Sequence, residues 1–357
     1  TQQGEFAAAE ELFHRVVERG AAAGDRRVEV RAQIERMDVV NIIRPDGAVS
    51  EMFRLADEVV PELEALGDDR GLARAWRMRA YAQNTLARYG ATSEALERGL
   101  VHAERAGDAV IRSEILAWLP TRLARGPVPT GRALERCGEL LAQAEGDLPA
   151  EAGALAGIAL LEAMVGRFDE ARRAERRSRR IKEELGLTFT LAVGDIWLGE
   201  LELYAGDHPA AELSFGAAAT FLEQRGDRNF YPTAAAGLAR ARFHQQRYEE
   251  ADEALRSAEA TTASDDFITV VWTLGTRARL LAREGKADEA AASAERGVAL
   301  ASETDDLNLQ AESLIELADI LQDTQRAAHA LEQALGLAVS KENVVYARQA
   351  RARLGRA

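Results

Sequence analysis

The dipeptide Gly-Asp recurs along this chain at a nearly fixed interval. It stands at Gly24-Asp25, Gly67-Asp68, Gly107-Asp108, Gly146-Asp147 and Gly226-Asp227. Gly186-Leu187 keeps the register, and Asp265-Asp266 and Asp305-Asp306 continue it without the Gly. From Gly24 to Gly226 the steps are 43, 40, 39, 40 and 40 residues. Self-similarity at such a period marks a repeat array, in which each unit buries its apolar face against the next. The question of function therefore moves from a catalytic pocket to a binding surface.

Each dipeptide has a local meaning. Gly takes the left-handed conformation that ends a helix without steric penalty. Asp caps the next helix by accepting a bond from its free N–H groups. A connection this short makes consecutive helices antiparallel neighbours. A second punctuation lies half a period away, at Gly166, Gly206, Gln246 and Gly285, each followed by an acidic or small start such as Asp169-Glu170-Ala171 and Glu249-Glu250-Ala251. Acidic residues belong in a first helical turn, where the helix dipole favours them. Each period is thus two helices. Small residues recur where the two approach, at Ala159, Gly199, Ala239, Ala278 and Ala318 on the first and Ala171, Ala211, Ala251, Ala290 and Ala330 on the second. Ile158, Leu198, Leu238 and Leu317 fill between them at helical spacing.

Small-residue positions, a Gly turn and an acidic-Ala start resemble the tetratricopeptide repeat, although that unit is about 34 residues long. The longer step, with Gly-Asp between units, is similar to the arrays of bacterial signal-transduction ATPases, including MalT-like transcription regulators and large cyclase–ATPase proteins. The resemblance covers nearly the whole chain and is specific for fold, not for function. It departs at the usual early Trp (Leu155, Asp195 and Ala235 stand there), at the absent closing Pro, and at Arg277 in place of Leu. It implies a right-handed superhelix whose partners lie on a concave face lined by the first helix of each pair.

Composition narrows the classes. With 47% hydrophobic and 6% aromatic residues, the chain can build a continuous helical core. No stretch approaches a membrane span, and no signal peptide heads the chain. The single cysteine, Cys137, precludes an internal disulfide and suits a reducing cytoplasm; it reads as a small core residue. A net charge of −14 disfavours general nucleic-acid binding. The chain opens on Gly4-Glu5-Phe6, the start of a second helix without its first. The expectation is an end that exposes Phe6, Leu12 and Phe13, is covered by an N-terminal domain, or is used for oligomerisation. At the other end, Asn343–Leu354 reads as a capping helix with Tyr346 and Ala347 inward and Arg348, Arg351 and Arg353 solvated.

The residues of known chemistries are missing. Gly285-Lys286 lacks the upstream Gly of a phosphate loop. His14, His102, His208, His244 and His329 are scattered over different repeats, none at the four-residue spacing of a helical metal site. The carboxylates read as solvated helix faces. The reading is a non-enzyme without cofactor or metal.

Three places remain for function. Aligning the second punctuation puts Leu160, Glu200, Arg240 and Arg279 at one groove-facing position, with Asn84, Arg122 and Asp319 by extension. Such arginines can grip carboxylate or phosphate, or pair with neighbours such as Glu200. Trp118, Trp272, Tyr204 and His244 fall nearby as apolar anchors. The second place is a basic helix face carrying Arg172, Arg173, Arg176, Arg177 and Arg180. The third is Pro120–Pro129, where prolines should kink the array, with a milder irregularity at Asn41–Asp46.

The chain therefore reads as one all-α domain over 1–357, a right-handed superhelical solenoid of about eight helix pairs. Residues 1–24 are the second helix of an incomplete repeat, and 341–357 the capping helix. The expected function is a cytoplasmic protein-interaction or sensing module of a multidomain bacterial regulator, holding a peptide, protein segment or inducer in its groove and signalling through superhelical pitch. A free-standing scaffold for an acidic tail is the alternative, and a nucleic-acid-binding solenoid a third that the charge disfavours.

Overall fold

The computed structural model describes residues 6–322 and 324–355, and every regular element among them is helical. A lone helix α1 (Phe6–Ala23) comes first. Eight pairs follow: α2 (Arg26–Ile43) with α3 (Ala48–Ala65), α4 (Asp69–Thr85) with α5 (Tyr89–Arg105), α6 (Ala109–Arg125) with α7 (Thr130–Gln143), and α8 (Leu148–Met164) with α9 (Phe168–Glu184). Then come α10 (Thr188–Ala205) with α11 (His208–Gln224), α12 (Tyr231–His244) with α13 (Tyr248–Thr261), α14 (Phe267–Arg283) with α15 (Ala287–Ala301), and α16 (Leu307–Ile320) with α17 (Thr324–Lys341). Helix α18 (Val344–Arg353) closes the array. The result is an all-helical solenoid of antiparallel pairs.

The Gly-Asp punctuation works as its chemistry requires. Gly24, Gly67, Gly107, Gly146, Gly186 and Gly226 all have positive φ. Asp25, Asp68, Asp108 and Asp147 each accept a bond from the backbone N–H three residues on. Gln246 takes the left-handed turn at φ 64° where its counterparts are glycine. Between turns, the small residues admit close packing. The buried Phe215 ring lies against Gly199 and Gly237, and α6 lies against α8 where Gly153 and Gly157 face Ala117 and Pro120. Helix α6 runs unbroken through Pro120, so the array does not stop there.

The array also closes on itself, which an open solenoid touching only its nearest units does not do. About five repeats apart, the second turn of the superhelix rests on the first. Arg228 N–H donates to the Ile42 carbonyl, and Asn229 Nδ2 to Tyr81 Oη at 2.9 Å. The Asp305 carboxylate accepts from Tyr89 N–H at 2.6 Å and Gly90 N–H at 2.8 Å. It thereby caps α5, whose own preceding residue Arg88 offers no side-chain cap. In the same way Glu342 accepts from Gly131 N–H at the start of α7. The loop at Asp265 comes within electrostatic range of Asp46, beside α3. The beats that have lost their Gly all face the first turn, as Gly226-Asp227 also does through Arg228 and Asn229. Their second residue (Asp266, Asp306 or Asn343) caps its own helix, while Asp305 and Glu342 cap a helix of the turn below.

Two expectations about the ends are corrected, and closure explains both proline irregularities. Phe6 is buried, edge-on to Phe189 of α10 at 5.3 Å between ring centres, although Leu12 stays exposed. Gly4 and Glu5 lie outside the described residues. Arg353 is not merely a solvated face of α18: it makes a two-pronged bond to Asp319 at 2.7 and 3.0 Å. The segments around Pro45 and after Pro120 are where the second turn sits down, at Ile42 and at Gly126–Gly131.

Candidate functional site

The first helices of the pairs face the inside of the superhelix. Side chains of α10, α12, α14, α16 and α18 converge on a cavity of about 330 Å³. Repetition brings them together: Glu200, Arg240, Arg279 and Asp319 occupy one register position on α10, α12, α14 and α16. Five of the eight groove residues singled out from the sequence line this cavity, namely Glu200, Tyr204, Arg240, His244 and Arg279. Trp272 is buried beneath Arg240, whose guanidinium carbon lies 4.7 Å from the ring centre. Arg122 and Trp118 stand on α6, outside the cavity lining.

The groove arginines are not free grips. Arg240 is 7% exposed and binds Glu312, with Glu316 at 3.7 Å. Arg279 lies 3.5 Å from Glu316 and 3.9 Å from Asp319, which also holds Arg353. At the α6 side, Arg125 binds Glu200, lies 3.8 Å from Asp306 and stacks on Trp197. The channel wall is thus a ladder of matched charges, as burial demands. Burial and the neighbouring Glu312 raise the pKa of Glu316 in balance against Arg279 and Arg240, burial being the largest cause. Burial pushes Asp306 up to about 6.

Glu312, Glu316, Tyr346, Gln349 and Arg353 escaped the sequence reading as cavity residues. One signal was available. At Gly275 of α14 a Cβ would overlap the Glu316 carboxylate, so this glycine makes room for the ladder.

Arg122 is 3% exposed and has no carboxylate partner among the described residues. It donates to Asn84 Oδ1 and Thr121 Oγ1 and lies within 6 Å of the ring centres of Tyr89, Trp118 and Trp197. Its burial contradicts a solvent-facing gripping role, and Trp118 packs in the same aromatic cluster, tilted against Tyr81.

His208 and His244, apart in sequence by nearly one repeat, stack with ring centres 4.5 Å apart. Arg279 Nη1 donates to His244 Nε2 at 3.0 Å, so that nitrogen is unprotonated. Loss of hydration in the channel, followed by the charges of Arg279, His208, Arg240 and Arg353, pushes the His244 pKa down to about 3. The unfolded chain therefore takes up a proton below about pH 6.5 that the folded chain refuses. Stability contributed here is present above pH 6.5 and falls as pH drops toward 3. On thermal melting between pH 7 and pH 4, the wild type should lose more stability than His244→Gln. Equal losses would refute the assignment.

The basic face is on α9. Arg172 is engaged by Glu202 of α10 at 2.9 Å. Arg173 and Arg177 are exposed and pair with Glu170 and Glu151, while Arg176 and Arg180 are exposed without an ion pair among the described residues. It is a partly neutralised outer surface, away from the cavity. No helix among the described residues is long and apolar enough to cross a membrane.

The fold has solved counterparts. It is similar to a Rap protein complexed with competence and sporulation factor, with a TM-score of 0.67 and 12% identity over 97% of this chain and 99% of that one. It is also similar to NprR in complex with its cognate peptide NprX, at 0.54 and 16% over 82% and 83% of the two chains. The apo quorum sensor NprR from B. thuringiensis gives 0.50 and 15% over 81% and 80%. No family model and no curated protein sequence matches the chain. At these identities the likeness is one of fold, and the chain carries the tetratricopeptide-like helical-repeat fold.

Proposed function

We propose that this chain is a sensing module that takes a peptide or protein segment into the channel of its first helices. The observation that carries the reading is the cavity shared by α10, α12, α14, α16 and α18. Its volume falls within the range of ligand sites. A molecule seated there touches five successive inner helices at once, so its binding is coupled to their relative rotation. The complexes of a Rap protein with competence and sporulation factor and of NprR with its cognate peptide, two proteins of similar fold, support a segment of this kind as the occupant. By resemblance to long-repeat signalling arrays, the output is a further domain of a bacterial regulator, and the module itself carries out no catalysis. The exposed Arg173, Arg176, Arg177 and Arg180 on α9 favour a second contact, with an acidic partner segment.

A displayed library of random short peptides tests the main reading. Selected peptides should bind the wild type, and Ala205→Trp, which places a large ring at the cavity wall, should weaken them at least about tenfold with helical content unchanged. Arg279→Gln should weaken them too. An empty selection, or binders indifferent to both substitutions, would sink the reading.

A further inference from the structure

We propose that α18 is a lid over the channel cavity, latched shut where Lys341 and Glu342, just ahead of it, sit on the loop between α6 and α7 and on the first turn of α7. Helix α18 supplies one wall of the cavity, through Tyr346, Gln349 and Arg353. Tyr346 faces Tyr204 of α10 at 5.1 Å between ring centres, closing the channel from the opposite side. The lid is short. Behind it stand α16 and α17 of its own turn, and across the channel it touches α8.

The latch lies immediately before the lid. Lys341 is fully buried, and its ammonium donates to the Gly126 carbonyl at 2.6 Å and the Val128 carbonyl at 2.7 Å. These two carbonyls are two residues apart in a stretch whose φ angles are held by Pro127 and Pro129, so the seat is rigid. Thr130 Oγ1 donates to the Lys341 carbonyl at 2.7 Å, and Glu342 accepts from Gly131 N–H at 2.7 Å. Asn343 then caps α18 by accepting from Tyr346 N–H, and its Nδ2 donates to Asn308 Oδ1 at 2.9 Å. The last residues of the second turn thus terminate two helices at once: α7 below and α18 beside them.

The chemistry of this seat favours release. Lys341 has no carboxylate within ion-pair distance among the described residues; two neutral carbonyls take its hydrogen bonds, and the carboxylates of Asp306, Glu342 and Asp305 act on its charge only from farther away. A buried ammonium whose hydrogen bonds all go to neutral dipoles, with its carboxylates beyond ion-pair distance, recovers only part of its lost hydration. Withdrawing it restores that hydration, which offsets part of the cost of uncovering Tyr346, Ala347 and Ala350. The carboxylate of Glu342 is exposed, so its bond to Gly131 is also open to competition from water. Glu342, the junction residue between α17 and α18, is held at φ 61°, a conformation that a non-glycine residue keeps only under constraint, so freeing Lys341 and Glu342 from the first-turn loop lets the junction turn. Opening there swings Tyr346 and Arg353 away from Tyr204 and Asp319 and uncovers the channel.

The lid rests on the proposed function only for what enters the channel; its opening is measured without any ligand. Native-state hydrogen exchange on the wild-type chain should show the α18 amides, such as Ala347 and Leu354, exchanging through a local opening at least tenfold faster than α12 and α16 and insensitive to low denaturant. The Gly131 N–H, on a different turn of the superhelix, should share that opening rate, because Glu342 is its acceptor. Simple fraying of α18 would leave Gly131 protected. Lys341→Ala should speed α18 and Gly131 together, although it removes no atom of either, and leave α12 unchanged. If Lys341→Ala does not fold, the exposed Glu342→Ala should still speed α18 about tenfold. The proposal is overturned if α18 exchanges only with α16, at its rate and denaturant dependence, or if both variants leave α18 exchange unchanged. A failed peptide selection would leave this result standing.

Discussion

Gly153→Ala is expected to destabilise this protein by about 1–3 kcal/mol, net of what alanine gains in a helix. Helix propensity alone gives the opposite sign, since alanine is favoured over glycine in a helix interior by about 0.5–1 kcal/mol. Position 153 lies inside α8, and a Cβ there would overlap the Ala117 backbone on α6. Backbone cannot rotate aside as the tip of a flexible side chain can, so α6 and α8 must separate. Gly157 repeats the problem one turn on, where a Cβ would stand 2.7 Å from the Pro120 carbonyl carbon. Separation there would also unseat the first-turn loop on which Lys341 rests. The control is Gly138→Ala on α7, an exposed helical glycine whose added Cβ meets nothing within 4 Å. That substitution is expected to stabilise by about 0.5–1 kcal/mol. Urea midpoints of the two variants should move in opposite directions. Two shifts of the same sign would show that α6 and α8 do not meet as described.

Arg240→Glu is expected to cost at least about 3–5 kcal/mol, the range for breaking a buried ion pair. A solvent-facing groove arginine would tolerate such a reversal, and Arg240 is not one. Its guanidinium is buried on Trp272 and holds Glu312 and Glu316, so reversal leaves three carboxylates together with only Arg279 to balance them. The same substitution therefore cannot serve as a clean test of binding. Arg240→Met with Glu312→Met should cost much less than the sum of the two single changes, because apolar side chains of similar volume replace the pair together. Chemical denaturation of the four members of this cycle measures the coupling. Additive losses would mean that Arg240 and Glu312 do not act as a pair.

Much of the candidate site was legible because the repeat is regular. A step of 39 or 40 residues places Glu200, Arg240 and Arg279 at the same point of successive first helices. The same register brings His244 beside His208, which no local motif announces. The opposite wall was not legible. Arg353 and Tyr346 belong to α18, and its inward-facing role depends on its reaching α8 and α10 across the channel. Nor could the pairing of Glu312 with Arg240 be read, since these residues sit two first helices apart and meet only because the superhelix is tightly curved.

Helix starts and stops, the pairing of helices and the stripe each one buries are local matters. They follow from capping chemistry, left-handed turns and spacings of three and four within a few dozen residues, so the chain carries them openly in its order of residues. Closure of the superhelix is different. It is the accumulated result of small rotations between successive units, and an error of a few degrees at each would carry Asp305 past Tyr89 and Lys341 past Gly126. That sum decides that Phe6 is buried and that Arg122 and Arg240 are enclosed. It also turns the acidic residues standing in place of Gly at Asp305 and Glu342 into caps for helices more than two hundred residues earlier.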